Sequence, residues 1–458
     1  MAGETQNDFL RRRFAVPVPM AGWSQNRRLQ REMMDIPNIH VDAQRLHEDL
    51  RALGEFGRTP GGGLMRTALS KADLEARSWF AERMRQAGLH VRQDSAANVI
   101  GRLNPPGMPN RASCIAMGSH IDSVPNGGIF DGSLGVCCGL EAIRAIQESG
   151  LSVPVPLELL VFTDEEGEHY AGTFGSRAML NLLAEGEIYQ NKKAGQPSIA
   201  ESLQRIGSDP ARIMDASRLP SEFIVFLEVH IEQGPVLEAI DVPIGIVEGI
   251  VCIDRHIIRV EGKSGHAGTT PMSMRKDALV HAARLITAIN EVATDSGTDI
   301  VATIGDLSVS PGGFNVIPGR VEMHLDLRTM NPSAARSVRK RIRKIVEGSG
   351  DACMEAILSK SGVSMDSMVM EAIESSCRAR GLSFHRMVSG AGHDAMTFQS
   401  REIPTGMIFI PCKEGKSHCP DEEIREQDAT IAAQILADTV MRIAHRFLEQ
   451  SCHSTQAT

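Results

Sequence analysis

Histidine and carboxylate side chains occur close together in one short stretch of the sequence, GSHIDSVPNGGIFDG (118–132). It places His120 and Asp122 two residues apart and adds Asp131 after a turn-forming Pro-Asn-Gly-Gly segment. Alternate residues of a strand face the same way, so His120 and Asp122 can lie side by side. A metal-bound histidine usually has a carboxylate against its second ring nitrogen. The spacing therefore predicts a metal ligand at His120, with Asp131 brought back by the turn to share the same ion.

Three further stretches carry similar chemistry, namely TDEEGE (163–168), EVHIEQGP (228–235) and GKSHCPDE (415–422). They supply Asp164, Glu165, Glu166, His230, Glu232, Gln233 and His418. Adjacent carboxylates are costly to pack together unless cations neutralise them. Two or three histidines with two carboxylates, one of which can bridge, suit a pair of divalent ions about 3.5–4 Å apart. Mixed imidazole and carboxylate ligation favours zinc, with manganese, cobalt or nickel as alternatives.

The elements that must position these residues alternate between strands and helices. Short apolar runs at 113–119 and 157–164 flank a helical pattern at 135–150, and another helix is predicted over 71–88. This alternation is typical of an α/β sheet with helices on its faces. Ligands of such sheets gather at the carboxyl ends of strands, and all four stretches follow predicted strands. Each stretch alone is more often structural or solvated, but their convergence predicts a metal-dependent hydrolase.

The pattern changes after about residue 242 and returns after about residue 354. The roughly 110 residues between contain strands and helices in an order that suits a small α+β insert of ferredoxin-like kind. We therefore predict one discontinuous α/β catalytic domain that is interrupted by a lid-like domain. The predicted segments are an N-terminal arm (1–35), the first half of the catalytic domain (36–242), the lid (243–354) and the second half of the catalytic domain (355–458).

The composition limits the class of protein. A chain of 458 residues is long for one hydrophobic core, and 42% apolar with 23% charged residues is ordinary for a globular protein. The net charge of −9 argues against nucleic acid or an anionic membrane as the partner. No apolar run approaches the roughly 20 residues of a membrane helix. Nine cysteines without framework spacing predict reduced thiols and a cytoplasmic location.

Seven motifs together resemble those of N-carbamoyl-L-amino acid amidohydrolases. In chain order they are GSHIDSVPNGGIFDG, FTDEEG, HIEQGPVLE, GHAGTTPMSMRKDA, GGFNVIP, DLR and SHCPDE, and the likeness runs from about residue 45 to 445. These enzymes belong, with β-ureidopropionases, allantoate amidohydrolases and ureidoglycolate amidohydrolases, to the dinuclear-metal aminoacylase and carboxypeptidase superfamily. The resemblance implies an aminopeptidase-like mixed sheet with flanking helices and an inserted ferredoxin-like lid and dimerisation domain.

The resemblance also implies an activity. A metal-bridged hydroxide would hydrolyse an N-carbamoyl-L-amino acid, a small amide with a carboxylate, to the amino acid, ammonia and carbon dioxide. Two divalent ions per subunit and a homodimer are implied. Allantoate or ureidoglycolate amidohydrolase and β-ureidopropionase activity stay open, as does a catalytically silent ligand-binding relative.

Roles for individual residues follow from the same resemblance. The implied metal ligands are His120, Asp131 (bridging both ions), Glu166, His230 and His418. Glu165 would be the general base, and His266 would donate to the developing oxyanion. The implied substrate contacts are Gln233, His266, Asn315 and Arg328. Asp122 and His393 would stand just behind the ligands, although His393 rivals His418 on local chemistry. Departures from the family pattern leave the preferred substrate side chain open: Thr329, Met330, Lys416, Cys419 and His169.

Overall fold

The structure is a computed structural model that describes residues 38–109, 111–191, 195–297 and 299–456. The predicted arm, 1–35, lies outside the described residues. The described chain forms two compact units. The first comprises the described residues up to Glu248, with Met365–Met387 and those from His393 onward, and the second comprises Gly249–Ser364 and Val388–Gly392.

Strands and helices are numbered in chain order. The strands are β1 (His90–Gln93), β2 (Val99–Leu103), β3 (Cys114–His120), β4 (Leu157–Phe162), β5 (Phe223–Ile231), β6 (Ile244–Ile250), β7 (Cys252–Glu261), β8 (Gly265–His266), β9 (Ile300–Ser310), β10 (Val316–Ile317), β11 (Arg320–Thr329), β12 (Ala352–Lys360), β13 (Val363–Ser364), β14 (Phe384–Ser389) and β15 (Thr405–Ile410). The α-helices are α1 (Ala43–Leu53), α2 (Lys71–Gln86), α3 (Ser133–Glu148), α4 (Phe174–Met179), α5 (Ile199–Arg205), α6 (Val236–Ile240), α7 (Ala278–Asp295), α8 (Pro332–Gly348), α9 (Ser367–Ala379), α10 (Asp394–Ser400) and α11 (Glu426–Gln456).

The first unit is built on a mixed sheet with the strand order β1-β2-β4-β3-β5-β15-β6. Its centre is parallel, because β3 pairs in parallel with β4 and β5, and β15 pairs in parallel with β5. The carboxyl ends of these four strands therefore lie along one edge. The four histidine and carboxylate stretches follow β3, β4, β5 and β15, which confirms the prediction that each stands at a strand end.

Both faces of this parallel centre are covered. Helix α3 is buried along nearly its whole length and packs against β3, β4, β5 and α11. On β4, β5 and α10 the rings of Phe162, Phe226 and Phe398 form a cluster, with Phe226 and Phe398 stacked at 4.0 Å between centroids. Burial on two sides explains why these strands read as continuous apolar runs in the sequence.

The second unit contains a four-stranded antiparallel sheet in the order β12-β7-β11-β9. Along the chain its elements run β7-α7-β9-β11-α8-β12, the β-α-β-β-α-β order of ferredoxin-like units. Val321, Met323, Leu325 and Leu327 alternate along β11 and are all buried, because alternate residues of a strand face the same side of the sheet. The expected limits 243 and 354 differ from those of this unit, because β6 pairs with β15 in the first unit's sheet and β12 pairs with β7 as far as Lys360. A role of the second unit as a lid or dimerisation domain stays a prediction.

Among the described residues, no helix has the length and apolar character needed to cross a membrane.

Gly118 on β3 is needed where two central strands pass close together. A Cβ at this position would lie 2.1 Å from the carbonyl oxygen of Leu160 on β4. We expect Gly118→Ala to lower the free energy of unfolding by about 3 kcal/mol, because the backbone must shift to relieve the overlap. Thermal or urea unfolding measures the change. The control is Gly61→Ala, whose added methyl group has only the Thr59 hydroxyl at 3.8 Å. Equal stability of the two variants would contradict this packing.

Candidate metal centre

The five predicted metal ligands all lie in the first unit, at the edge where its parallel strands end. His120 is the last residue of β3, and His230 is the penultimate residue of β5; both side chains are about 1% exposed. Asp131 stands just before helix α3 and is also buried. Glu166 follows β4, and His418 follows β15 with a half-exposed ring. The fold therefore brings together residues that are up to 298 positions apart (418 − 120).

Asp131 stands between two groups of donors. Its Oδ1 lies 3.0 Å from His230 Nε2 and 3.7 Å from His120 Nε2. Its Oδ2 lies 3.1 Å from His418 Nε2, and the same nitrogen is 3.5 Å from Glu166 Oε1. Within each of the sets His120–Asp131–His230 and Asp131–Glu166–His418, the potential ligand atoms all lie within 4.8 Å of one another. A carboxylate shared by two donor sets is the arrangement that a bridging ligand requires.

The electrostatics of the cluster fit divalent cations. Burial raises the pKa of Glu165 well above its usual range, and the neighbouring carboxylates Asp394 and Glu166 add to this rise. Burial likewise raises the pKa of Glu166 to about 8. Its buried Oε1 has no hydrogen-bond partner among the described residues. Positive charge placed here would stabilise these carboxylates and give that oxygen a partner, so the residues present fit a metal site.

The imidazoles are perturbed by the same carboxylate. The hydrogen bond to Asp131 raises the pKa of His418 to about 9. Burial alone would lower the pKa of His230, but the hydrogen bond and charge of Asp131, together with the charge of Glu228, outweigh burial and raise the value to about 9. Burial lowers the pKa of His120 to about 4. The pKa of Asp131 falls well below its usual range, since the surrounding imidazoles outweigh its burial.

Asp122 lies just behind His120 as expected, but it contacts the ring through its backbone carbonyl oxygen rather than through its carboxylate. Strand β3 ends at His120, so the two residues do not lie side by side on a strand. His120 Nδ1 is 3.0 Å from the backbone carbonyl oxygen of Asp122 and 3.8 Å from its Oδ1. The carboxylate instead accepts hydrogen bonds from the backbone N–H groups of Glu165 (3.4 Å) and Glu166 (3.2 Å). Asp122 therefore holds the turn that carries the acidic pair.

Asp164 is satisfied by protein groups rather than by the candidate metal site. Its carboxylate accepts from the backbone N–H of Glu168 at 2.7 Å and lies 3.1 Å from His169 Nδ1. The other nitrogen of His169 lies 2.9 Å from the hydroxyl of Ser202 on α5. The expectation that cations neutralise all three adjacent carboxylates is therefore wrong for Asp164. His169 and Ser202 tie the acidic loop to a helix, and nothing in the spacing of Ser202 indicated this.

His393 belongs to a third group of donors, with Glu228 and His230. Its ring lies 4.4 Å from the ring of His230 between centroids and is buried. It is not among the residues of the set that contains His418. Glu228 on β5 was not among the predicted site residues; its carboxylate accepts from Ser119 Oγ at 2.7 Å and from the backbone N–H of Ala395 at 2.9 Å. His393 is thus a neighbour of a candidate ligand, and direct ligation by it stays open.

Gln233 lies at the cluster. Its Nε2 donates to Asp131 Oδ2 at 2.8 Å and is 3.4 Å from His418 Nε2. The amide is thus held against the shared carboxylate in this structure. A substrate contact by Gln233 stays a prediction.

The other three predicted substrate residues lie in the second unit. His266 on β8 pairs with Val316 on β10, next to Asn315, and its exposed Nδ1 accepts from the backbone N–H of Gly268 at 3.0 Å. Arg328 donates from Nε and Nη2 to the carboxylate of Asp326 at 2.6 and 3.1 Å. Its guanidinium is therefore already paired with Asp326. The expectation that Arg328 binds a substrate carboxylate did not include this contact.

Comparison with known proteins identifies the family. Residues 116–442 match the model of peptidase family M20/M25/M40, so the chain belongs to this family. It is 38% identical to the N-carbamoyl-L-amino acid amidohydrolase of Geobacillus stearothermophilus over 88% of this chain and 99% of that one. It is 30% identical to the allantoate amidohydrolase of Bacillus subtilis, over 86% and 96% of the two chains.

Solved structures give the same result. The chain aligns with a hydantoinase/carbamoylase family amidase from Burkholderia multivorans with a TM-score of 0.79 and 32% identity, covering 89% of this chain and 99% of that one. These similarities confirm the resemblance read from the motifs. The protein is an amidohydrolase, an enzyme that acts on linear amides.

Metal binding should release protons. At pH 7 the metal-free protein holds protons on His230, His418 and Glu166, because their pKa values are raised to about 9, 9 and 8. Metal ligands must be deprotonated, so we expect roughly two to three protons to be released when the site fills, and affinity to rise with pH up to about 9. A pH indicator in weak buffer measures the release. His418→Ala should release fewer protons, whereas proton-free uptake by the wild type would contradict the assignment.

Proposed function

We propose that the protein hydrolyses the carbamoyl amide of an N-carbamoyl-L-amino acid, with His120, Asp131, Glu166, His230 and His418 holding two divalent cations. One observation carries the proposal most strongly, the two donor sets that share Asp131. The similarity to an N-carbamoyl-L-amino acid amidohydrolase over 88% of the chain supports the choice of substrate. Zinc suits this set of donors best, with manganese, cobalt or nickel as alternatives.

When bound, the cations would lower the pKa of water and stabilise negative charge on the carbonyl oxygen of the substrate. The protein's own acid–base group is Glu165. Its Oε2 lies 3.7 Å from His120 Nε2, and Asp122 holds its backbone beside that of Glu166. The carboxylate of Glu166 belongs to the Asp131–Glu166–His418 donor set, whereas that of Glu165 can take a proton from the attacking water. Returning this proton to the leaving nitrogen breaks the C–N bond, and the carbamate that remains on the other nitrogen then loses CO2, which leaves the amino acid and ammonia.

Binding of the substrate carboxylate would fall to polar side chains. Gln233 is held at the cluster, and His266 and Asn315 lie close together in the second unit. Arg328 donates to Asp326 and to the carbonyl oxygen of Gly390, and its remaining N–H donors are available to a carboxylate. We propose that the second unit acts as the lid and that the protein is a homodimer, as the family resemblance implies.

A substrate panel tests this function. Metal-reconstituted protein is assayed for ammonia release with N-carbamoyl-L-amino acids, N-carbamoyl-β-alanine, allantoate and ureidoglycolate side by side. We expect the highest kcat/KM for an N-carbamoyl-L-amino acid. A tenfold preference for allantoate or ureidoglycolate, equivalent to about 1.4 kcal/mol in the transition state, would contradict the proposed substrate. Absence of turnover with every substrate in metal-loaded protein would favour a ligand-binding relative.

Replacing the proposed base separates catalysis from metal binding. Glu165→Gln keeps the size of the side chain but removes its basicity, so we expect kcat to fall by roughly 10²- to 10⁴-fold. The metal content should stay unchanged, because Glu165 belongs to neither of the two donor sets. The matched control is Glu168→Gln in the same loop, which should retain near wild-type kcat. Wild-type turnover by Glu165→Gln would contradict the role of Glu165 as the general base.

A further inference from the structure

Glu422 closes the SHCPDE motif but has none of the roles given to the other site residues. Its side chain is buried, with the whole residue 5% exposed. Oε1 accepts hydrogen bonds from two consecutive backbone N–H groups, those of Phe130 (2.8 Å) and Asp131 (3.0 Å). Oε2 lies 3.0 Å from the hydroxyl of Ser417. One carboxylate thus spans two loops that are almost 300 residues apart in the chain (422 − 130).

Each of these loops carries a candidate metal ligand. The first ends in Asp131, the carboxylate shared by both donor sets. The second carries His418, directly after Ser417, whose hydroxyl also lies 3.1 Å from Asp131 Oδ2. Glu422 therefore contacts the backbone of one ligand and the chain neighbour of another. Loss of this carboxylate would free both loops at once.

The backbone around His418 needs such support. His418 has a φ of +58°, a left-handed conformation that is uncommon for residues other than glycine. Strained positions of this kind persist only where the surrounding contacts hold them. The contacts here are the Ser417–Glu422 hydrogen bond and a turn in which the backbone N–H of Glu422 donates to the Cys419 carbonyl at 3.2 Å.

Gly128 provides the space that Glu422 occupies. A Cβ at this position would lie 2.2 Å from the Glu422 carboxyl group. A glycine is therefore required at position 128, because any larger residue would overlap the carboxylate of Glu422. This requirement is independent of the hydrogen bonds and points to the same contact.

We propose that Glu422 is a positioning residue that ties the loop of Asp131 to the loop of His418 and so sets the geometry of the Asp131–Glu166–His418 donor set. The proposal rests on the proposed dinuclear metal centre. Glu422 is not a member of either donor set. Its effect on the metal therefore passes through Asp131 and His418, the two ligands whose loops it holds. The donor set with His418 should be affected more than the set with His120 and His230, which reaches Glu422 only through Asp131.

The test compares Glu422→Ala with Glu422→Gln. Co²⁺ binding to the full chain is measured by competition with a chelator, with the visible spectrum of the bound ion as a second readout. We expect Glu422→Ala to weaken the binding of the second equivalent of Co²⁺ by roughly 10- to 100-fold and to alter the spectrum of the bound ion. Loss of a residue that holds a metal ligand in place has effects of this size at other metal sites. Glu422→Gln should restore most of the affinity, because its amide still accepts from the backbone and donates to Ser417.

The control is Asp366→Ala. Asp366 also accepts two backbone N–H groups on one oxygen, those of Met368 (2.9 Å) and Val369 (3.1 Å), at the start of α9. The Asp366→Ala substitution should lower the melting temperature without changing the Co²⁺ affinity or the spectrum of the bound ion. Should Glu422→Ala not fold, Gly128→Ala carries the same prediction, because it displaces the carboxylate without removing it.

Wild-type affinity and spectrum in the folded Glu422→Ala protein, or in Gly128→Ala if that variant is needed, would overturn the positioning role. Equal losses in Glu422→Ala and Asp366→Ala would also overturn it, since they would reflect general destabilisation. Failure of the wild type itself to bind Co²⁺ would instead overturn the metal centre on which the proposal rests.

Discussion

The carboxylate of Asp131 is the group on which the site's geometry depends. One of its oxygens faces the imidazoles of His120 and His230, and the other faces His418. Burying a carboxylate is favourable only when opposite charge or strong donors surround it. The imidazoles supply those partners in the described chain, and two cations would supply them in the proposed enzyme. The rest of the first unit serves to bring these partners to one carboxylate.

The parallel centre of the sheet explains how distant residues meet. Four strands end along one edge, and each is followed by a loop that delivers polar side chains to that edge. Such loops need their own restraints, because strand ends alone do not fix the direction of a side chain. Buried carboxylates provide them: Asp122 holds the turn of Glu165 and Glu166, and Glu422 joins the loops of Asp131 and His418. Carboxylates in this site thus act both as candidate ligands and as supports for ligands.

The sequence predicted the elements better than the bonds between them. Apolar runs and turn residues located β3, β4 and α3 to within a few residues, since burial on both faces leaves a strong pattern. The spacing of His120 and Asp122 indicated the right place but the wrong contact, because a pattern of alternate residues does not show where a strand ends. The pairing of Arg328 with Asp326 was accessible in principle, as the two residues alternate on β11. The links to Ser202 and Glu422 were not, because they join segments whose proximity only the fold creates.

The most direct measurement of the central claim is anomalous diffraction from crystals of the protein grown with manganese or zinc. The account predicts two anomalous peaks for each chain, one beside His120 and His230 and one beside Glu166 and His418, with the carboxylate of Asp131 between them. A single peak, or ions bound away from Asp131, would contradict it.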